Sequence, residues 1–353
     1  GGPNGPPPTP SREEGVRVAV ATQDETGRRR SRRKARLQEN ARAWVYILPA
    51  GLVMLVISVF PQLFQLWMSF TDFRVANLRF NIFDPETWER FAPAWIGIEN
   101  YVRIIESDLN IPNYNFSRLL FFTFVWAVVN VILHVSLGVG IAMVLNGERV
   151  IGRRFYRALF IIPWALPAYI SALTWRNMFD PTFGAVNQLF GLDVDWLNDP
   201  IPPFDVPGLA WLPLAFYAVH IANTWLGGPF MMVVATGALQ SIPKELYEAV
   251  DIDGASRWQR HRNVTFPLLR PAMVPAIMLG FIWTFNQFNV IFFISEGGPL
   301  GMTEILVTQA YKLVAENQLY GVASAFAVVV FFILLVITLI QNRVTGATEA
   351  ADA

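Results

Sequence analysis

The chain has 353 residues, 54% of them apolar, and its 27 basic residues balance 27 acidic ones. Zero net charge says nothing about partners, but the way charge is distributed excludes a soluble globular protein, which would interleave charges along amphipathic helices. Six stretches, 43–71, 119–147, 158–175, 206–243, 271–295 and 317–342, contain no Asp, Glu, Lys or Arg.

About 20 apolar residues span the hydrocarbon layer as a helix. Five stretches are long enough outright, and 158–175 becomes so once Arg157 and Arg176 reach the two interfaces. The expected fold is all-α and polytopic, with six transmembrane helices in a domain over 43–342. Ahead of it, 1–42 is Gly/Pro-rich and then basic from Arg28 to Arg36, the composition of a disordered cytoplasmic tail that fixes topology. The first run is too long and too far from the N-terminus for a signal peptide. With the N-terminus in the cytoplasm, twenty of the 27 Lys and Arg lie inside, as the positive-inside rule requires. The tail 343–353 is then cytoplasmic as well.

In chain order, the predicted helices cover about 43–71, 119–146, 155–178, 209–240, 272–295 and 320–342. The outside segment 72–116 carries Trp88, Trp95 and Tyr101, which suggests short elements at the interface. A second outside segment, 179–208, is rich in Pro and Asp. The sixth run opens with the small residues Gly321, Ala323, Ser324, Ala325 and Ala327, which permit close helix approach.

What is missing narrows the mechanism. No charged residue interrupts the six runs, whereas ion-coupled transporters place such groups at membrane depth. His134 and His220 read as packing or hydrogen-bonding residues. None of the three lysines follows a glycine, so no P-loop is present. There is no catalytic motif and no metal-ligand cluster. Energy for uphill movement must therefore come from another subunit through a cytoplasmic handle.

The inside loop 241–271 is patterned for that role. Pro243 preceded by Ser241 suits a helix start, and Glu245 and Glu248 favour its N-terminal dipole. Gly254 can take the positive φ that ends a helix. A second short helix, about 255–262, would present Trp258 with Arg257, Arg260 and Arg262, and Pro267 would stop it. Glu248-Ala249-Val250, Asp253-Gly254-Ala255 and Phe266-Pro267 resemble the EAA motif of ABC-importer permeases. That resemblance implies a coupling helix docking on an ATPase subunit, with Glu248, Ala249, Asp253, Gly254, Ala255 and Trp258 as contacts.

The likeness extends over about 43–342. Ile161-Ile162-Pro163-Trp164-Ala165-Leu166-Pro167, Asn223-Thr224-Trp225-Leu226-Gly227-Gly228-Pro229-Phe230, and Phe285-Asn286 through Gly297-Gly298-Pro299 are similar to the F-type permease subunit of maltose/maltodextrin importers. This implies a type I ABC-importer permease fold, a multi-pass subunit of the cell inner membrane. The best-known members have two further N-terminal helices and a large outside domain without counterpart here. The partners implied are a second homologous permease, an ATPase dimer holding ATP and Mg, and an extracytoplasmic sugar-binding protein, but no nucleic acid. This chain itself would need no cofactor and would not be an enzyme.

The same resemblance implies a sugar site formed by Trp164, Ala168, Asn223, Leu226, Gly227, Phe230, Thr284 and Gln287. Spacing agrees: 223, 226, 227 and 230 share one helix face, and 164/168 and 284/287 are same-face pairs. Asn223, Thr284 and Gln287 offer neutral hydrogen-bond groups, and Trp164 and Phe230 offer flat apolar faces. Ala168 and Phe230 lack hydroxyls that better-known members carry, implying a weaker or different sugar preference. Import of trehalose or glycerol phosphate, or a scaffold or channel working without ATP, are the alternatives. A phosphorylated solute would want cations that the runs do not contain.

Overall fold

The computed structural model describes residues 44–79, 81, 83–147, 150–200 and 212–345. The tail 1–42, the helix start expected at 209–211 and the end of the C-terminal tail lie outside the described residues. Two compact units divide the chain after Gln65. Within the first, the described residues form most of an apolar helix, α1, Trp44–Met68.

The second unit holds the remaining helices. The main ones are α2 (Phe116–Asn146), α3 (Arg153–Ala165), α4 (Ala168–Met178), α5 (Leu214–Ser241), α6 (Lys244–Ile252), α7 (Phe266–Phe285), α8 (Phe288–Ile294), α9 (Leu306–Ala315) and α10 (Tyr320–Thr345), with short helices at Pro85–Phe91, Glu99–Ile105, Ala185–Phe190 and Arg257–Arg260. Among the described residues, five helices can cross a membrane by length and apolar composition, or six if α3 and α4 count as one broken span.

α2 and α5 form the central pair. A Cβ on Gly138 would sit 2.6 Å from Met231 Cβ and 2.7 Å from the Met232 nitrogen, so only glycine allows these backbones to close. Three buried clusters surround the pair. One joins α2 to α7, α9 and α10 through Phe116, Val131, Phe285 and Phe326. Another joins it to α4, α5 and α8 through Trp126, Ala172, Val219 and Ile291. The third packs Ala142, Met232, Leu239 and Met273.

The third span is not the single helix expected over 155–178. The chain turns by 95° between α3 and α4. Leu166, held extended at φ −80°, ψ 144° ahead of Pro167, makes the corner. A residue before proline is pushed out of the helical region, and Pro167 itself has no N–H to give.

The span expected over 272–295 also differs. It starts earlier, at α7, and breaks at Asn286–Gln287 before α8. Pro267 does not stop the preceding helix. Arg257–Arg260 runs into a wider turn at His261–Thr265, with the Phe266 N–H bonded to His261 five residues back, and continues into α7. The ladder widens just ahead of the residue that cannot donate to it. Pro267, Pro271 and Pro275 then recur every four residues on one exposed face.

Short elements fill the segment after α1, with helices at Pro85–Phe91 and Glu99–Ile105. Phe70 and Trp95 stack at 5.3 Å, and Asn100 Nδ2 donates to the Ser69 and Thr71 carbonyls at 3.0 and 2.8 Å. The Gly321 N–H donates to the Phe73 carbonyl at 2.9 Å, and a Cβ there would strike the Thr71 carbonyl. The small residues that open α10 thus admit a neighbouring backbone. Beyond α8, the strap 295–305 carries Glu304, whose carboxylate accepts from Lys312 Nζ at 2.6 Å. Burial pushes the Glu304 carboxyl above its ordinary range and the Lys312 hydrogen bond pulls it back.

Candidate functional site

Gly227 is the fourteenth of the 28 residues of α5, so the middle of that helix is also the middle of its span. There a cavity of about 240 Å³ opens, lined by Trp164, Ala168, Asn223, Leu226, Gly227, Phe230, Thr284 and Gln287 together with His134, Leu166, Met231, Gly280 and Trp283. All eight residues expected to form the site line this one cavity. Trp164 and Ala168 do so from opposite sides of the 95° corner rather than from one helix face. Thr284 and Gln287 do so across the break between α7 and α8.

Each break leaves backbone groups that must be satisfied internally at membrane depth. The Thr284 carbonyl accepts from the indole Nε1 of fully buried Trp126 at 2.9 Å. Gln287 has non-helical backbone, φ −76° and ψ 79°, and its side chain makes no cap to α8, so it is spare for the cavity. Three rings line one wall: Phe230 lies 5.9 Å from Trp164 and 5.5 Å from Trp283 between centroids.

His134 packs across the cavity floor, its ring nitrogen Nε2 2.9 Å from the Asn223 carbonyl. A carbonyl only accepts, so Nε2 carries the proton and donates. The Asn223 side-chain amide, 3.5 Å from the same nitrogen, finds no acceptor there and remains for a ligand. His220 is elsewhere, against Trp126 at 4.8 Å and hydrogen-bonded to the Phe216 carbonyl.

Gly227 makes room for His134. A Cβ at this position would overlap the imidazole, lying 2.5 Å from Nε2 and 2.7 Å from Nδ1. Gly227→Ala is therefore expected to destabilise the protein by about 1–3 kcal/mol, the usual cost of overpacking, and adding His134→Ala is expected to recover most of it. Thermal unfolding of the two variants checks this; a Gly227→Ala protein that melts like the parent contradicts the packing.

Trp283, Gly280, Met231 and Leu166 were not anticipated from sequence. The signal for two of them was available, since Gly280, Trp283, Thr284 and Gln287 are spaced i, i+3, i+4 and i+7.

The other candidate region is the loop between α5 and α7. α6 starts at Lys244 with Pro243 as its cap; Ser241 instead belongs to α5, its hydroxyl bonded to the Ala238 carbonyl. Gly254, at φ +73°, closes α6. Its N–H bonds the Asp251 carbonyl at 3.2 Å, and the Ala255 N–H bonds Val250 at 3.2 Å, the paired bonds of a glycine-terminated helix. Ser256 then caps the next turn reciprocally with Gln259. Glu248, Ala249, Asp253, Gly254 and Trp258 are exposed and Ala255 is half-buried, so the loop presents a surface rather than a pocket.

The model of the family described as binding-protein-dependent transport system inner membrane component matches residues 134–347. The maltodextrin transport system permease protein MdxF of Bacillus subtilis is 33% identical over 315 residues, 86% of this chain and 69% of that protein. The trehalose/maltose transport system permease protein MalF of Thermococcus litoralis is 32% identical over 315 residues, 88% of this chain and 96% of that one. A solved bacterial ABC transporter involved in the import of the acidic polysaccharide alginate has the same fold, with a TM-score of 0.68 over 87% of this chain and 96% of that one at 19% identity. The chain thus belongs to the binding-protein-dependent transport inner-membrane components, the permeases of ABC importers, and is a transport subunit rather than an enzyme.

Proposed function

We propose that this permease conducts a neutral oligosaccharide of the maltodextrin type through the mid-span cavity. The observation that carries the reading is the lining: amide and hydroxyl groups from Asn223, Thr284 and Gln287 together with three aromatic rings, with no charged side chain among them. Sugar hydroxyls need donors and acceptors, and their C–H faces suit rings. The relatives named for maltodextrin and trehalose/maltose transport support it.

A second homologous permease is supported by the cavity's size and rim. Small-molecule sites enclose about 300–1,000 Å³, and this one falls short at about 240 Å³. Trp164 and Trp283, at its rim, remain 49% and 52% exposed. A facing subunit would complete the wall. The exposed loop 244–258 supports docking of an ATPase dimer, which would hold ATP and Mg²⁺. With the N-terminus cytoplasmic, that loop lies inside, and a sugar-binding protein delivers solute from the opposite side.

The test is ATP hydrolysis by the complex in proteoliposomes with its binding protein, across maltose, maltotriose, trehalose and glycerol phosphate. Several-fold stimulation by the glucose oligomers is expected. Stimulation by trehalose alone would favour a trehalose permease, the second reading suggested by the relative matched over 96% of its length. Stimulation by glycerol phosphate alone, or by no sugar, rejects the proposal.

A further inference from the structure

A different cavity, of about 270 Å³, lies where the C-terminal end of α2 meets the loop between α6 and α7. Asn146, Tyr247, Arg257, Arg260, His261 and Thr265 line it, and among the described residues no acidic one does. Arg260 sits 4.4 Å over the Tyr247 ring. Among the described residues its close acid is Asp251, at 3.3 Å with both side chains partly exposed, so the pair is weakly held and Arg257 adds a second cation. The uncharged runs 119–147 and 206–243 end beside this cavity, which places it at the polar boundary of the spans.

Next to it, an apolar groove of about 480 Å³ runs between α2 and α7, walled by Val135, Val139, Phe266, Met273 and Ile277. Met143 lines both spaces, and their α2 lining residues follow one face from Val135 to Asn146, about 16 Å at 1.5 Å per residue, so the two adjoin. The groove does not belong to the sugar cavity. The two share no lining residue.

A cationic hydrogen-bonding cavity at the membrane boundary, adjoining an apolar groove directed along the span, has the polarity of one kind of molecule. We propose that this site binds an anionic phospholipid, with the headgroup phosphate held by Arg257, Arg260 and the hydroxyls of Tyr247 and Thr265, and an acyl chain in the groove. A headgroup held there ties α2 to the segment that follows Gly254, so membrane composition would bear on the loop.

The test uses the full chain purified with its co-expressed subunits, delipidated, and titrated with phosphatidylglycerol or phosphatidylcholine while native mass spectrometry counts bound lipid. The parent is expected to hold phosphatidylglycerol roughly tenfold or more tightly than phosphatidylcholine. Arg257→Gln with Arg260→Gln removes the headgroup cations. Gly140→Phe fills the groove instead; Gly140 lines it, and a Cβ there meets nothing within 4 Å, so the fold is spared. Both variants are expected to lose the preference while melting like the parent in detergent. Equal retention of both lipids, or retention by either variant, overturns the proposal; loss in the arginine variant alone would mean a free anion site. The chain has no cysteine, so Gly140→Cys is a unique cross-linking probe, and coupling from it to another subunit would show protein rather than lipid in the groove.

Discussion

Asn223→Ala and Gln287→Ala are each expected to lower sugar uptake and sugar-stimulated ATP hydrolysis by roughly tenfold or more, while recovery of the complex is unchanged. Asn223 is 2% exposed, and the proton on His134 Nε2 is already given to the Asn223 carbonyl, so its side-chain amide has no protein acceptor at that nitrogen. Truncation therefore removes a group whose work is outside the protein. A ligand hydroxyl left without its partner in a buried site costs about 1–3 kcal/mol, or about 5- to 150-fold in affinity. Gln287 reaches the cavity from a backbone break and is half-buried, so its loss is expected to weaken sugar response with little change in melting. Uptake of labelled maltodextrin and ATP hydrolysis in proteoliposomes measure both effects. Parent-level values in both variants would remove the cavity from the transport path.

The six uncharged runs were legible because a span leaves its mark on every residue it contains. Eight of the thirteen residues that line the cavity were legible too, through the resemblance to the F-type permease subunit, with which their spacing agreed. What the sequence did not reveal was how they meet. Trp164 and Ala168 satisfy a same-face rule, yet they converge because the chain turns at Leu166–Pro167. Two prolines four residues apart signal weakness in a helix, but whether it kinks or turns by 95° depends on what packs against the corner. The break at Asn286–Gln287 had no proline to announce it; it is sustained by Trp126, 158 residues away, bonding the freed Thr284 carbonyl. His134 read as a packing residue and does pack, but its place on the cavity floor depends on Gly227, 93 positions on, having no side chain. Pro267 misled in the other direction, because a local rule for ending helices does not foresee a widened turn that lets one continue.

Gly254 supplies the second large expected effect, because here backbone conformation and surface can be separated by substitution. Its φ of +73° is left-handed, and nothing lies within 4 Å of where a Cβ would point. Space is therefore no obstacle; only the backbone is. Asparagine enters this region readily, whereas a β-branched residue is strained there by about 1–2 kcal/mol or more. Gly254→Val is expected to open the end of α6, where the Ala255 N–H meets the Val250 carbonyl, and to misplace Trp258 relative to Glu248. If this loop docks the ATPase, Gly254→Val should cut sugar-stimulated hydrolysis about tenfold or more, and Gly254→Asn should retain most of it. The cavity lies elsewhere in the chain, so sugar binding to the permease should survive in both. Recovery of the ATPase with the tagged permease, together with its hydrolysis rate, reads the outcome. Equal activity in the valine variant and the parent would detach this loop from coupling, and equal loss in both variants would mean that the bare glycine surface, rather than the turn it makes, is what the partner requires.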